Sequence, residues 1–215
     1  MTTNMTDKTC KSTEYMTPPE ILEPVRDYFY AMTGDRQIGL DPATRSDNPT
    51  AARIWCSTKG IHTYTSSPIY STTGLEVDWA EPVEDFRSRS IFLNPPYGPE
   101  LRRWTRKLRE TAFSLYSPPI AALLPGQRFE TSWWQEEVLN DKLTGIVFIR
   151  KRVQFKLPDG SKPGGNPYGS MLYCYNGNFE TMCACFSRLG MVLEFGRHVR
   201  HLPPAGKTHP GGLRL

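Results

Sequence analysis

Ser90-Ile91-Phe92-Leu93-Asn94-Pro95-Pro96-Tyr97-Gly98 joins a short apolar run to two consecutive prolines. Ile91 to Leu93 has the composition of a buried strand, and the prolines stop it because neither can donate a ladder hydrogen bond. Downstream, Leu101, Trp104, Leu108 and Ala112 keep a helical spacing. PIAALLP (119–125) then reads as a strand and TSWWQEEVLN (131–140) as a helix. TGIVFIRKRVQF (144–155) reads as one strand or a hairpin, and SMLYCY (170–175) and TMCACFSRL (181–189) as further strands. Upstream, TPPEILEPVRDYFYAM (17–32) opens on a Thr-Pro helix start, with Ile21, Leu22, Val25 and Phe29 on one face and Pro24 in the first turn. IGLDPAT (38–44) is a short strand entering a turn at Asp41-Pro42, whereas residues 46–73 carry no assignable period. Strands alternating with helices predict an α/β domain with a mostly parallel sheet, helices on both faces and antiparallel strands toward its end. Ligands of such sheets bind at the C-terminal ends of the strands.

The chain has 215 residues, 38% of them hydrophobic, which is enough to bury one substantial core. Residues 1–14 are polar and aperiodic, and 196–215 combine Pro and Gly with four Lys/Arg and no acid. Both ends are read as flexible tails around one domain over 15–195. No run of about eighteen apolar residues or signal-peptide pattern occurs, so a soluble, cytoplasmic chain without membrane contact is expected. The five cysteines, Cys10, Cys56, Cys174, Cys183 and Cys185, include no C-x-x-C pair, which favours reduced thiols and argues against a metal site. A net charge of +4 permits a polyanionic partner without requiring one.

The chemistry lies in Asn94, Pro95, Pro96 and Tyr97. Two successive prolines fix the turn and aim its carbonyls. The Asn94 side chain and the Pro95 carbonyl can then accept both hydrogens of one amino group, while Tyr97 offers a face to a planar ring. An exocyclic base amine is a weak nucleophile because its lone pair is delocalised, and accepting its hydrogens pushes the nitrogen toward a tetrahedral, reactive state. A base in duplex must leave the stack to reach such a pocket, at a cost of a few kcal/mol that aromatic stacking worth about 1–3 kcal/mol offsets. Asp41, a carboxylate at a strand end, suits a cationic ligand; its plainer reading is an Asx turn over Pro42.

These residues fall into an ordered series: Thr17-Pro18, Leu40-Asp41 with Asn48, Gly74-Leu75 with Asp78-Trp79, Asn94 to Tyr97, Trp104, Leu123 to Pro125, Trp133-Trp134, FIRKRVQF and PYGSMLYCY. In that order the chain resembles the phage-type DNA N6-adenine methyltransferases over roughly residues 15–175. The resemblance implies a Rossmann-like methyltransferase fold with S-adenosylmethionine across the strand ends. It places Tyr15, Thr17, Pro18, Asp41, Pro42 and Asn94 at the cofactor and Asn94 to Tyr97 around a flipped adenine in double-stranded DNA. It also implies a host-cell cytoplasmic setting for a phage-encoded chain and suggests restriction-modification as a context, leaving open whether a restriction partner exists. The chain departs from the family in carrying Thr73 where an acid usually precedes Gly-Leu, in a longer stretch between Asn48 and Gly74, and in lacking a glycine-rich loop after Asp41.

Two basic sets stand out: Arg102, Arg103, Arg106, Lys107 and Arg109, and Arg150, Lys151, Arg152 and Lys156. Beside a base-flipping motif both are candidate DNA contacts. Gly206-Lys207-Thr208 lacks the first glycine of a phosphate-binding loop, since His201 stands there. His198, His201 and His209 have no neighbouring Cys or acid to complete a metal site, and Cys183 and Cys185 read as thiols on one strand face. The pocket chemistry equally suits cytosine N4, an RNA amine or a protein amide, and a DNA-binding module without methylation is the remaining alternative. The target sequence and oligomeric state are not encoded in any feature of the chain.

Overall fold

The computed structural model describes residues 16–63, 73–82, 89–157, 160 and 169–195. Tyr15, Cys10, both expected tails with their histidines, Gly206-Lys207-Thr208, and Pro167-Tyr168 of the PYG stretch lie outside the described residues.

The elements run α1 (Pro19–Thr33), β1 (Leu40–Asp41), β2 (Ile54–Ser57), β3 (Gly60–Thr63), β4 (Ile91–Leu93) and α2 (Leu101–Ala112). They continue with β5 (Ile120–Pro125), a π-helical turn (Trp134–Val138), β6 (Leu143–Ile149), β7 (Ser170–Tyr175), α3 (Phe179–Phe186) and β8 (Gly190–Glu194). All eight strands form one sheet in the order β3-β2-β1-β4-β5-β7-β6-β8. The fold is mixed α/β, and its sheet is less parallel than the sequence suggests. Only β2-β1, β1-β4 and β4-β5 pair in parallel, while β2-β3, β5-β7, β7-β6 and β6-β8 are antiparallel. At β2-β3 the physical reason is connection length: the two strands close as a tight hairpin, which a parallel pair cannot do.

Side chains alternate along the buried strands and divide the core in two. Leu40, Ile91, Leu93, Ile120 and Ala122 pack with Leu101, Trp104 and Leu108 of α2 and with Val138. Phe92, Ala121 and Leu123 pack on the other face with Ile21, Leu22, Val25 and Phe29 of α1 and Met182 and Phe186 of α3. Helices therefore do cover both faces, each presenting the apolar stripe that its spacing requires. Pro24 sits inside α1 rather than in its first turn, and Gly34 ends that helix with a left-handed φ of 75°.

Three expectations are corrected. TMCACFSRL contains the end of α3, not a strand: the Asn178 side chain accepts the Thr181 N–H as an N-cap, and Met182 and Phe186, four apart, are the buried pair. Cys183 and Cys185 therefore do not share a strand face, and both are half-buried free thiols. β6 ends at Ile149 with the following residues leaving the sheet, while TSWWQEEVLN is helical over 132–138 as expected, in π form from Trp134 to Val138. No helix among the described residues is long and apolar enough to cross a membrane.

Leu108 is fully buried in the α2 interface. Leu108→Ala is expected to destabilise the fold by about 2–5 kcal/mol, read as a lowered urea midpoint at unchanged slope.

Candidate functional site

The strand order reverses direction at β1, whose neighbours are β2 on one side and β4 on the other. Asp41 closes β1 and Asn94 follows β4, so the two stand at adjacent C-terminal strand ends, at the switch point where open α/β sheets bind ligands. No hydrogen bond joins them among the described residues.

Pro95 ends the β4-β5 ladder at the Leu93–Ala122 pair, while β5 continues through Leu123, Leu124 and Pro125. Tyr97 occupies the space left beside that overhang, donating its hydroxyl to the Leu123 carbonyl at 3.1 Å. Its ring meets Phe155 edge-on at 6.5 Å. Burial pushes the Tyr97 phenol well above its ordinary range, so it acts as a neutral donor and an immobile ring. Pro95 is buried, Pro96 is exposed, and Asn94 is half-buried.

The Asn94 amide is oriented from the start of α1. Asn94 Nδ2 donates to Thr17 Oγ1 at 3.0 Å across 77 residues of sequence. With Nδ2 engaged, Asn94 Oδ1 has no partner among the described residues. Thr17 and Pro18 are buried at this helix entrance, held by the Met16–Lys156 antiparallel bridge.

Asp41 is 2% exposed and no cation pairs with it among the described residues. Thr50 Oγ1 donates to its Oδ2 at 2.7 Å, and the Ala43 N–H donates to Oδ1 at 3.1 Å. The second bond is the Asx turn over Pro42. Burial raises the Asp41 pKa to about 6, and the hydrogen bonds from Thr50, Ala43 and Thr44 only partly oppose it. Thr50 belongs to a loop built to hold it: Arg26 of α1 binds its carbonyl at 2.8 Å, and Asn48 and Ala51 take left-handed φ values of 50° and 49°. For Ala51 that conformation costs about 1–3 kcal/mol.

Gly74 lies against the same loop. A Cβ there would stand 1.8 Å from the Pro42 carbonyl oxygen, so only glycine permits the contact. Trp79 Nε1 donates to the Gly74 carbonyl at 2.6 Å, which fixes the Gly-Leu…Asp-Trp segment under Pro42. At the end of β2, Ser57 Oγ and His62 Nε2 are 2.7 Å apart and both are buried. Burial, with Lys59 adding to it, lowers the His62 pKa and keeps the ring neutral.

The two basic sets separate. On α2, Arg102, Arg103 and Arg106 pair with Glu136, Glu100 and Glu137, and Arg109 lies 5.5 Å over the Phe113 ring. β6 runs parallel to β5 across the reversed β7, so its C-terminal end lies on the edge that carries Asn94. Arg150, Lys151 and Arg152 leave from there, are exposed, and have no acidic partner among the described residues. The chain then returns through Phe155, against Tyr97, to Lys156, bridged to Met16.

Sequence reasoning placed Thr17, Asp41 and Asn94 to Tyr97 on this edge and missed Thr50, Phe155, Ser57 and His62. Thr50, Ser57 and His62 lie in the stretch without a readable period, and the apolar pattern around Phe155 fits a strand or hairpin and does not reveal its contact with Tyr97. Among the described residues no group of three or more His, Cys, Asp or Glu side chains forms a metal-binding cluster. No protein-family model, curated protein or solved structure matches the chain.

The Asp41 shift has a sign. Its folded pKa lies above the unfolded value, so the folded state binds the proton more tightly and loses stability as pH rises from about 4 to above 6. Raising that pKa from its ordinary value to about 6 corresponds to a penalty of roughly 3 kcal/mol at pH 7. Asp41→Asn is expected to be more stable than the parent at pH 7, by up to that amount, and to converge with it below about pH 4 in urea denaturation across pH.

Proposed function

We propose that the chain is an S-adenosylmethionine-dependent DNA methyltransferase acting on N6 of adenine, built on a Rossmann-like methyltransferase fold. The observation that carries the reading is Asn94. Its amide nitrogen is held by Thr17, its oxygen is left to accept, and it stands on a double-proline turn beside the buried Asp41 carboxylate.

The residues fit the cofactor. An uncompensated buried carboxylate whose pKa is raised is stabilised by an arriving cation, and the ammonium of S-adenosylmethionine is one. Asp41, with Thr17 close to Asn94, would hold the amino-acid end. Ser57, at the end of β2, stands where nucleotide-binding sheets place the group that meets ribose hydroxyls. When bound, the cofactor supplies an electrophilic methyl on a cationic sulfur. The chain's own residues prepare the acceptor. Asn94 Oδ1 and the Pro95 carbonyl accept the two hydrogens of the amine, localising its lone pair, and Tyr97, pinned by Leu123 and Phe155, sets the plane of the base. Adenine rather than cytosine follows from the family resemblance, because the donors and acceptors suit either amine.

The exposed basic run at the rim supports a polyanionic substrate over a protein amide. Charge reversal at Arg150, Lys151 and Arg152 is expected to weaken binding to mixed-sequence duplex DNA and to lower the slope of log affinity against log salt. Reversal at Arg102, Arg103 and Arg106 should change that slope little, since their charges are already neutralised by acids.

The reaction is tested by incubating the protein with unmethylated duplex DNA and methyl-labelled S-adenosylmethionine, then identifying labelled nucleosides by mass spectrometry. N6-methyladenine and cofactor-dependent thermal stabilisation are expected of the parent, and Asn94→Ala should abolish the labelled nucleoside. Stabilisation without any labelled nucleoside would move the acceptor to RNA or protein, and no stabilisation would leave a DNA-binding module.

A further inference from the structure

Phe129 is a large apolar side chain, 41% exposed, in the loop that leaves the C-terminal end of β5. The other exposed large hydrophobics lie elsewhere among the described residues. Tyr30 is on α1, Phe113, Leu115 and Tyr116 follow α2 at the opposite edge of the sheet, and Met191 and Leu193 are on the edge strand β8. Of these described residues, Phe129 alone stands in a loop at the strand edge that carries Asn94 to Tyr97.

Its loop is held rigid. The Arg128 carbonyl accepts from Thr131 Oγ1 and from the Thr131 N–H, and the Phe129 carbonyl accepts from Gln135 Nε2 at 2.7 Å. The ring rests on Trp134 with centroids 4.9 Å apart, and Trp134 Nε1 is anchored to the Tyr173 hydroxyl at 2.9 Å. Gln127, Arg128, Phe129 and Glu130 form a continuous exposed tip. An exposed aromatic on a floppy loop would turn inward; here backbone bonds hold the tip out.

Height gives the tip its use. β5 extends three residues beyond the level of Leu93, which is about 10 Å at the rise of a strand. The double-proline turn leaves β4 below the end of β5, and the Phe129 loop leaves β5 one strand away. Apolar side chains inserted between base steps unstack them, and aromatic stacking offsets the cost of the displaced base.

We propose that Phe129 is the wedge that enters the base stack and holds the gap while the target base occupies the pocket. This rests on the DNA methyltransferase reading above. Phe129 touches neither the reacting amine nor the cofactor, so it acts as a positioning residue whose contribution appears only when the target is paired.

The test uses a synthetic duplex built on a sequence the protein methylates, with either thymine or an abasic gap opposite the target adenine. Single-turnover methylation is followed for the parent, Phe129→Ala and Phe129→Trp. Loss of stacking worth about 1–3 kcal/mol predicts that Phe129→Ala slows methylation of the paired duplex by about 5- to 150-fold. It should be restored to within about twofold of the parent opposite the gap, where unpairing costs least. Phe129→Trp should retain most activity on both duplexes, and cofactor-dependent thermal stabilisation should match the parent in both variants. Equal slowing on both duplexes, or no slowing on either, overturns the wedge while the methyltransferase reading stands. A parent that methylates no DNA overturns both.

Discussion

Pro95 has no N–H to give, and the ladder between β4 and β5 ends at the residue pair just before it. β5 does not end there, because β7 pairs with it along its whole length, from Ile120–Tyr175 to Pro125–Ser170. One strand therefore stops while its neighbour rises past it, leaving a step with an unpaired flank. Tyr97 takes up the exposed Leu123 carbonyl, and in doing so brings its ring upright against β5. Asn94, the last residue before the stop, is released from the sheet to be oriented by Thr17 instead. The candidate site exists because two prolines break a ladder that the antiparallel half of the sheet keeps intact on the other side.

What could be read from the chain beforehand follows the same division between local and distant causes. α1 and α2 were legible because their apolar residues recur at helical spacing over more than two turns, and β4, β5 and β7 because they are short apolar runs bounded by turn residues. TMCACFSRL was not, since over eight residues a helix with only two buried positions looks like a strand with alternating ones; the Asn178 cap decides it. β2 and β3 escaped because polar residues at their flanks hide four-residue strands. The site shows the same limit. Asn94 to Tyr97 is contiguous and carries its own geometry, whereas the Thr50 hydroxyl on Asp41 and the Phe155 ring on Tyr97 are contacts that only the folded chain creates.

Charge illustrates the limit most directly. Sequence gives the sign of Arg102, Arg103 and Arg106 but not the three glutamates that face them, one from the turn before α2 and two from the π-helical turn packed on it. The two exposed pairs, Arg102–Glu136 and Arg103–Glu100, add little stability, about 0–1 kcal/mol each, and Arg106 reaches the buried Glu137, so all three cations are locally compensated. Arg150, Lys151 and Arg152 at the end of β6, which have no acidic partner among the described residues, are exposed on the edge holding Asn94.

The missing glycine-rich turn after β1 has a structural counterpart. In nucleotide-binding sheets those glycines let backbone approach closely where a side chain would block it. Here the close approach is made from a distant segment: Gly74 packs against the Pro42 carbonyl, with Trp79 holding it by its indole N–H. The loop after Asp41 is thereby pressed into a conformation in which Asn48 and Ala51 are left-handed and Thr50 turns its hydroxyl onto the buried carboxylate. Backbone strain and carboxylate desolvation both oppose folding, and neither is relieved by any cation among the described residues. A chain that keeps an unfavourable carboxylate in so constrained a setting gains from it only when a positively charged ligand arrives, because the same desolvation that destabilises the free protein strengthens its attraction for that ligand.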